Sequence, residues 1–136
     1  MIYFIFGRRD ITHEEFDKFY VPKINEVIEE DFSDSTRFVV GDYEGADIMA
    51  QDYLKTLCEE GRLKYSQVTV YHMFDSPRHL ASDNFTLVGG FKGDVERDFA
   101  MIEASDKDIA FLRKGKWTSG TAQNILRRYE KLEKKS

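Results

Sequence analysis

Four short stretches of this chain carry residue types whose spacing could do chemistry. Gly7-Arg-Arg-Asp10 sets two guanidinium groups just after a glycine. Gly lets a backbone turn sharply, and an arginine fork matches phosphate oxygens, so Gly7 with Arg8 or Arg9 reads as one edge of an anion site. Gly41-Asp-Tyr-Glu-Gly-Ala-Asp47 has two glycines that permit close backbone approach. Its Asp42 and Asp47 suit either of two tasks, capping the next helix or binding sugar hydroxyls, because Asp is a preferred N-cap residue in any case. Ser119-Gly-Thr121 precedes an amphipathic stretch, so its N–H groups and hydroxyls can cap that helix or face an anion at the positive end of its dipole. Arg97 stands among Asp94, Glu96 and Asp98, where it either reaches a ligand or pairs with those carboxylates.

Other candidates are plainer. His72 and His79 flank a variable stretch and read as packed or solvated side chains. Cys58, the single cysteine, falls within a helical pattern and reads as a structural thiol; with no disulfide partner in the chain, a reducing, cytoplasmic setting is expected. No Cys/His cluster has zinc-ligand spacing and no Walker loop is present, so neither metal nor cofactor is expected.

The elements that must position these residues alternate. Apolar or β-branched runs at 2–6, 38–40, 68–72, 85–88 and 109–112 read as strands. Between them, helical periodicity runs through Phe16, Phe19, Tyr20, Ile24, Val27 and Ile28, interrupted at Pro22 and opened by a Thr12-His-Glu-Glu15 capping box. It returns through Ala46, Ala50, Tyr53, Leu54 and Leu57 up to Gly61, then through Val95, Phe99 and Ile102, and finally through Ala122, Ile125, Leu126, Tyr129 and Leu132. Residues 73–94 are rich in turn formers and read as a long surface excursion. Strand–helix alternation implies an α/β domain with a mostly parallel sheet of about five strands between helical layers, in which ligands collect at the carboxyl ends of the strands.

A length of 136 residues allows one domain spanning 1–136. A hydrophobic share of 41% with 33% charged residues is that of a globular protein, and no apolar run is long enough to span a bilayer. The formal net charge of −5 argues against non-specific binding to nucleic acid, which needs a basic face. A small anion held locally by backbone N–H groups and an arginine remains compatible with it.

Taken in order, Gly7-Arg-Arg-Asp10, Gly41-Asp-Tyr-Glu-Gly-Ala-Asp-x-x-Ala50, Glu96-Arg-Asp-x-x-Met101 and Ser119-Gly-Thr121 resemble the SLOG superfamily. This is the Rossmann-like group that includes the Lonely-guy, lysine-decarboxylase-like phosphoribohydrolases, and the resemblance is nearest to its compact bacterial and phage members. It implies a Rossmann-like three-layer fold, a nucleotide or nucleotide-derived ligand, and a site drawn from Gly7, Arg8, Arg9, Gly41, Asp42, Gly45, Asp47, Arg97, Ser119, Gly120, Thr121 and Asn124. One departure bears on activity. Lonely-guy enzymes and related deoxyribosyltransferases carry a glutamate after Gly-Thr, and Asn124 stands where the Lonely-guy glutamate would lie. An amide cannot serve as a carboxylate acid or base. The first expectation is therefore a binding or sensing module for a nucleotide-like small molecule. The second is an N-glycosidic hydrolase or transferase acting on nucleoside monophosphates, with Glu44, Glu96 or Glu103 as replacement for the glutamate or an acid supplied by the 73–94 stretch or a partner subunit, and with Arg97 and Glu96 as catalytic candidates. The third is an interaction protein, self-associating through the helix near 95–104.

Overall fold

The computed structural model describes residues 1–31, 35–111 and 120–135. Five strands form one sheet: β1 (Ile2–Ile5), β2 (Arg37–Val40), β3 (Val68–Met73), β4 (Thr86–Phe91) and β5 (Lys107–Ile109). Their spatial order is β4-β3-β2-β1-β5, and every neighbouring pair is parallel. The α/β, Rossmann-like three-layer expectation is therefore met, with a sheet that is wholly parallel. After β1 the chain steps outward through β2, β3 and β4, then returns past β1 to place β5 on its other side. The carboxyl ends of β1 and β5 thus flank the point where strand order reverses, which is where parallel sheets open a crevice.

β1 is the central ridge. Its alternation sends Ile5 to one face and Phe4 to the other, with Phe6 continuing the second set, and each face is covered by its own apolar cluster. On the first face pack α1 (His13–Phe19), α2 (Val21–Glu29) and α3 (Ala46–Glu59). On the second face pack α4 (Asp94–Ala104) and α5 (Gly120–Lys135). No helix among the described residues is long and apolar enough to cross a membrane.

The Thr12 capping box forms as its spacing implies: Thr12 N–H donates to Glu15 Oε1 at 3.1 Å, and Glu15 N–H donates to Thr12 Oγ1 at 3.1 Å. Pro22 divides the first helical stretch in two, since it occupies the opening turn of α2, where a missing N–H costs nothing. Tyr20 sits at that joint, fully buried. Its hydroxyl donates to the Phe6 carbonyl at 2.8 Å and accepts from the Phe111 N–H at 3.0 Å, so one side chain ties together the ends of β1 and of the segment after β5.

Three expectations need correction. The excursion after β3 is shorter than its turn formers suggest, because β4 continues through Gly89 and Gly90 to Phe91; Gly90 has φ +90° beside a register irregularity. The remaining 74–85 segment crosses from β3 to β4 without a helix. Leu80, Ala81 and Phe85 nevertheless pack on the first apolar cluster. Gln51 of α3 holds this segment down: its Nε2 donates to the carbonyls of Gly41 at 2.8 Å and His79 at 3.2 Å, while its Oε1 accepts from Ala81 N–H at 3.0 Å. Strand β5 ends at Ile109, short of the expected 112, and Leu112 lies outside the described residues.

The helices of the second face turn differently from their apolar stripes. Val95, Phe99, Leu126, Tyr129 and Leu132 are exposed, and Arg97, Thr121, Asn124 and Arg128 are buried with Met101, Ile102 and Ala122. Polar pairing decides the rotation. Arg128 donates to Asp108 Oδ1 at 2.9 Å and to the Ser105 carbonyl at 2.9 Å, anchoring α5 to the strand before it and the end of α4.

Replacing Tyr20 by Phe keeps the ring and leaves the Phe6 carbonyl and Phe111 N–H unpaired in the interior. A loss of about 1–3 kcal/mol is expected, read as a lower midpoint in urea denaturation with unchanged slope.

Candidate functional site

A cleft of about 730 Å³ opens at the carboxyl end of β1, where strand order reverses. Phe4, Phe6 and Met101 supply its apolar floor. Gly7, Arg8, Arg9 and Asp10 come from the turn after β1, and Tyr43 and Asp47 from the turn after β2 and the start of α3. Asp94, Arg97 and Asp98 project from α4, while Gly120, Thr121 and Asn124 come from the first turns of α5. Eight of the residues singled out from sequence thus share one cleft, although they come from opposite ends of the chain.

The others sit beneath or beside it. Asp42 is only 1% exposed and is committed inside the protein: its Oδ1 accepts from Arg97 Nη1 and from Arg78 Nη2, each at 2.8 Å, and its Oδ2 accepts from Arg78 N–H at 2.9 Å. Burial disfavours its charge, but the hydrogen bonds and charge of Arg78, with Arg97, outweigh that and hold its pKa below the usual value. Gly41 is needed for packing, since a Cβ there would lie 2.5 Å from Asp47 Oδ2 and 3.0 Å from Arg97 Cζ. Gly45, at φ +87°, presses on the Arg8-Arg9 backbone, where a Cβ would come within 2.3 Å of Arg9 Cα. Neither Asp42 nor Asp47 caps α3. Gly45 holds that N-cap position without a side-chain hydrogen bond, and Asp47 Oδ2 instead accepts from Tyr43 N–H at 3.1 Å. Ser119 lies outside the described residues.

Arg97 is the hub of the site. It is 4% exposed and pairs with Asp42 at 2.8 Å, Asp98 at 3.1 Å, Asp94 at 3.2 Å and, more loosely, Asp47 at 3.9 Å. The pairing with Asp94 and Asp98 is the alternative expected from sequence, except that it is buried and does not involve Glu96. Glu96 is exposed, outside the cleft, and accepts from the Lys92 N–H at 3.2 Å. Glu44 is also displaced, 3.7 Å from Arg9 at the exposed rim, and Glu103 faces a separate groove between α4 and α5. His72 is buried with Nδ1 3.1 Å from the Met73 carbonyl, and its ring lies where a Cβ on Gly89 would be. His79 pairs with Asp52 on the far side of α3. Cys58 is buried, which pushes its thiol up to about 11, as befits a structural cysteine.

Two polar groups are left over. Among the described residues, Thr121 Oγ1 and Arg97 Nε are buried side-chain atoms with no hydrogen-bond partner. Thr121 lines the cleft one residue into α5, beside Gly120, where helix N–H groups are unsatisfied by helix geometry. Asn124, a turn later, is already engaged: its Nδ2 donates to Asp98 Oδ2 at 3.1 Å and its Oδ1 accepts from Arg127 at 2.5 Å. Asp47 has the opposite problem. Burial, reinforced by Asp98 and Asp42, exceeds the help from Arg97 and the Tyr43 N–H, and its pKa rises from 3.8 to about 7.

Sequence reading missed Arg78 and Tyr43. Arg78 stacks on the Tyr43 ring at 4.9 Å while pairing with Asp42 and Asp94. Only the requirement that a buried Asp42 find a cation could have signalled it. The described residues contain no group of His, Cys, Asp and Glu arranged to hold a metal ion. No protein-family model, no curated protein and no solved structure matches the chain.

Because the folded Asp47 binds its proton more tightly than an unfolded aspartate does, it adds stability that is complete below the unfolded pKa of 3.8 and is lost as pH rises towards 7. Unfolding free energies from denaturant titrations between pH 4 and 7 should therefore fall for the natural chain relative to Asp47→Asn, by a few kcal/mol at most, and run parallel above that window.

Proposed function

We propose that the cleft binds a nucleotide or nucleotide-derived phosphate ligand, as a binding or sensing module of SLOG-like type. The observation that carries this reading is the buried Thr121 hydroxyl, unpartnered among the described residues, on a residue that lines the cleft at the first turn of α5. A buried hydroxyl without a partner costs free energy that a bound acceptor would recover. Phosphate is the acceptor best suited to a helix N-terminus, where N–H groups and dipole act together.

The charges divide the cleft. Arg97 is surrounded by carboxylates, so its charge is spent within the protein, and Arg8 is held by Asp10 at 2.8 Å. Arg9 is the more accessible cation, 65% exposed and bound loosely to Tyr43 at 3.4 Å and Glu44 at 3.7 Å. A phosphate would lie between Arg9 and the start of α5. Asp47, Asp94 and Asp98 would then face the hydroxyl-rich part of the ligand, because carboxylates accept from sugar O–H groups. Phe4, Phe6 and Met101 offer an apolar floor for a base.

Cleavage of an N-glycosidic bond is the second reading. Asp47 favours it, since an acid that keeps its proton near neutral pH beside a second carboxylate is a candidate proton donor. Against it stands Asn124, an amide tied to Asp98 and Arg127 at the position of the expected glutamate.

Titration calorimetry with nucleoside 5′-monophosphates tests the binding reading. Thr121→Val should weaken the best ligand by about tenfold, the loss of one hydrogen bond to a charged group. Thermal stability of the free protein should stay the same or rise, because that hydroxyl is buried with no hydrogen-bond partner among the described residues. Unchanged affinity would remove the phosphate site from α5.

Chromatography of nucleotide mixtures incubated with the protein should show no multiple-turnover release of free base. Sustained release that is lost in Asp47→Asn would favour the enzyme reading instead.

A further inference from the structure

Among the described residues, three aromatic side chains line the cleft, and two of them are closed off. Phe4 and Phe6 are 0% and 4% exposed, which leaves enough surface to meet the edge of a base and too little to take its face. Tyr43, in the turn between β2 and α3, is the third, and it is only half-buried. It is also held at three points. Its N–H donates to Asp47 Oδ2 at 3.1 Å, and its hydroxyl accepts from Arg9 Nη1 at 3.4 Å. Arg78, which does not line the cleft, lies over its ring with Cζ 4.9 Å from the centroid. That guanidinium is fixed in turn by Asp42 and Asp94, each at 2.8 Å. An aromatic ring braced in this way loses little freedom when a second ring stacks on it.

The wall that joins Tyr43 to α5 is one chain of polar contacts. Thr121 and Asn124 stand in the first turns of α5. Asn124 Nδ2 donates to Asp98 Oδ2 at 3.1 Å, and Asp98 Oδ1 accepts from Arg97 at 3.1 Å. Arg97 pairs with Asp94 at 3.2 Å, Asp94 with Arg78 at 2.8 Å, and Arg78 covers Tyr43. Asp94 lines the cleft with its side chain 48% exposed, and its Oδ2 takes no hydrogen bond among the described residues, so it can accept from a sugar O–H. Asp94 and Asp98 are four residues apart on α4, about 6 Å along its axis. From α5 outward the wall therefore presents an anion subsite, then a hydroxyl acceptor, then an aromatic face. Phosphate, ribose and base follow one another in that order in a nucleoside 5′-monophosphate. Resting on the nucleotide reading of the cleft, we infer that Tyr43 is the stacking platform for the base: the ligand lies with its phosphate at α5, its ribose at Asp94 and its base against the β2–α3 turn.

Calorimetry with adenosine 5′-monophosphate and ribose 5-phosphate separates the two ends of the site. Stacking on an aromatic side chain tolerates any base, so the adenine nucleotide serves as the probe. The natural chain should bind it at least about tenfold more tightly than ribose 5-phosphate. Tyr43→Ala should cost the nucleotide about tenfold and leave ribose 5-phosphate unchanged, and Tyr43→Phe, which returns the ring, should recover the loss. Thr121→Val, at the phosphate end, should weaken both compounds alike. A purely structural role for Tyr43 would lower both affinities together in Tyr43→Ala. The inference is overturned, with the nucleotide reading intact, if the nucleotide binds no more tightly than ribose 5-phosphate. It is equally overturned if Tyr43→Ala weakens both compounds to the same extent, or if Tyr43→Phe binds as poorly as Tyr43→Ala. If neither compound binds the natural chain at about 1 mM, the nucleotide reading itself falls and takes this inference with it.

Discussion

A guanidinium buried among carboxylates organises this molecule. Arg97 could not be taken out of water alone; the cost of an isolated buried cation exceeds anything packing returns. Its partners come from three separate parts of the chain: Asp42 from the end of β2, Asp47 from α3, and Asp94 and Asp98 from its own helix. Asp42 in turn recruits Arg78 from the helix-less crossover. Each charge is admissible because the next is in place. The turn after β2, the 74–85 segment and the second-face helix are consequently fixed to one another, and the cleft wall is built from the outer side of that cluster.

This changes what the arginines mean. From sequence, Arg97 and its carboxylate neighbours allow either a ligand contact or a salt bridge; folded, the guanidinium is spent on holding the wall together. What the cleft offers an anion is the start of α5 and the loosely held Arg9 at its rim. Asp47 shows the remaining imbalance, since more carboxylates converge on Arg97 than one cation can satisfy, and this buried one, 3.9 Å from the guanidinium, keeps its proton into the neutral range.

How much was legible follows from which forces are local. Strand and helix alternation, the Thr12 capping box and the Gly61 helix end depend on neighbours within a few residues, and they were readable. The parallel sheet and a cleft at its carboxyl edge followed from chain connectivity. The rotation of α4 and α5 did not: their apolar stripes through Phe99, Tyr129 and Leu132 face outward because Arg97 and Arg128 make long-range ion pairs that outweigh the stripe. For the same reason Asp42 looked like a surface cap or sugar ligand and proved to be an interior counter-ion. Pairing across 36 and 55 positions leaves no periodic trace.

The crossover from β3 to β4 lacks the helix that ordinarily seals such a unit, and a single amide side chain stands in for it. Gln51 supplies both its donor and its acceptor to main-chain groups of Gly41, His79 and Ala81. Together with Arg78 on Asp42 and with Leu80, Ala81 and Phe85 on the first apolar cluster, Gln51 holds a segment that has no helix of its own, so its opening is a local event distinct from the melting of the sheet. Amide hydrogens at 78–81 would then exchange with solvent through this partial opening, on a different clock from those of β1 and β2. Each such excursion also uncovers Asp42 and frees Arg78 from it, so the wall of the cleft loosens with the flap.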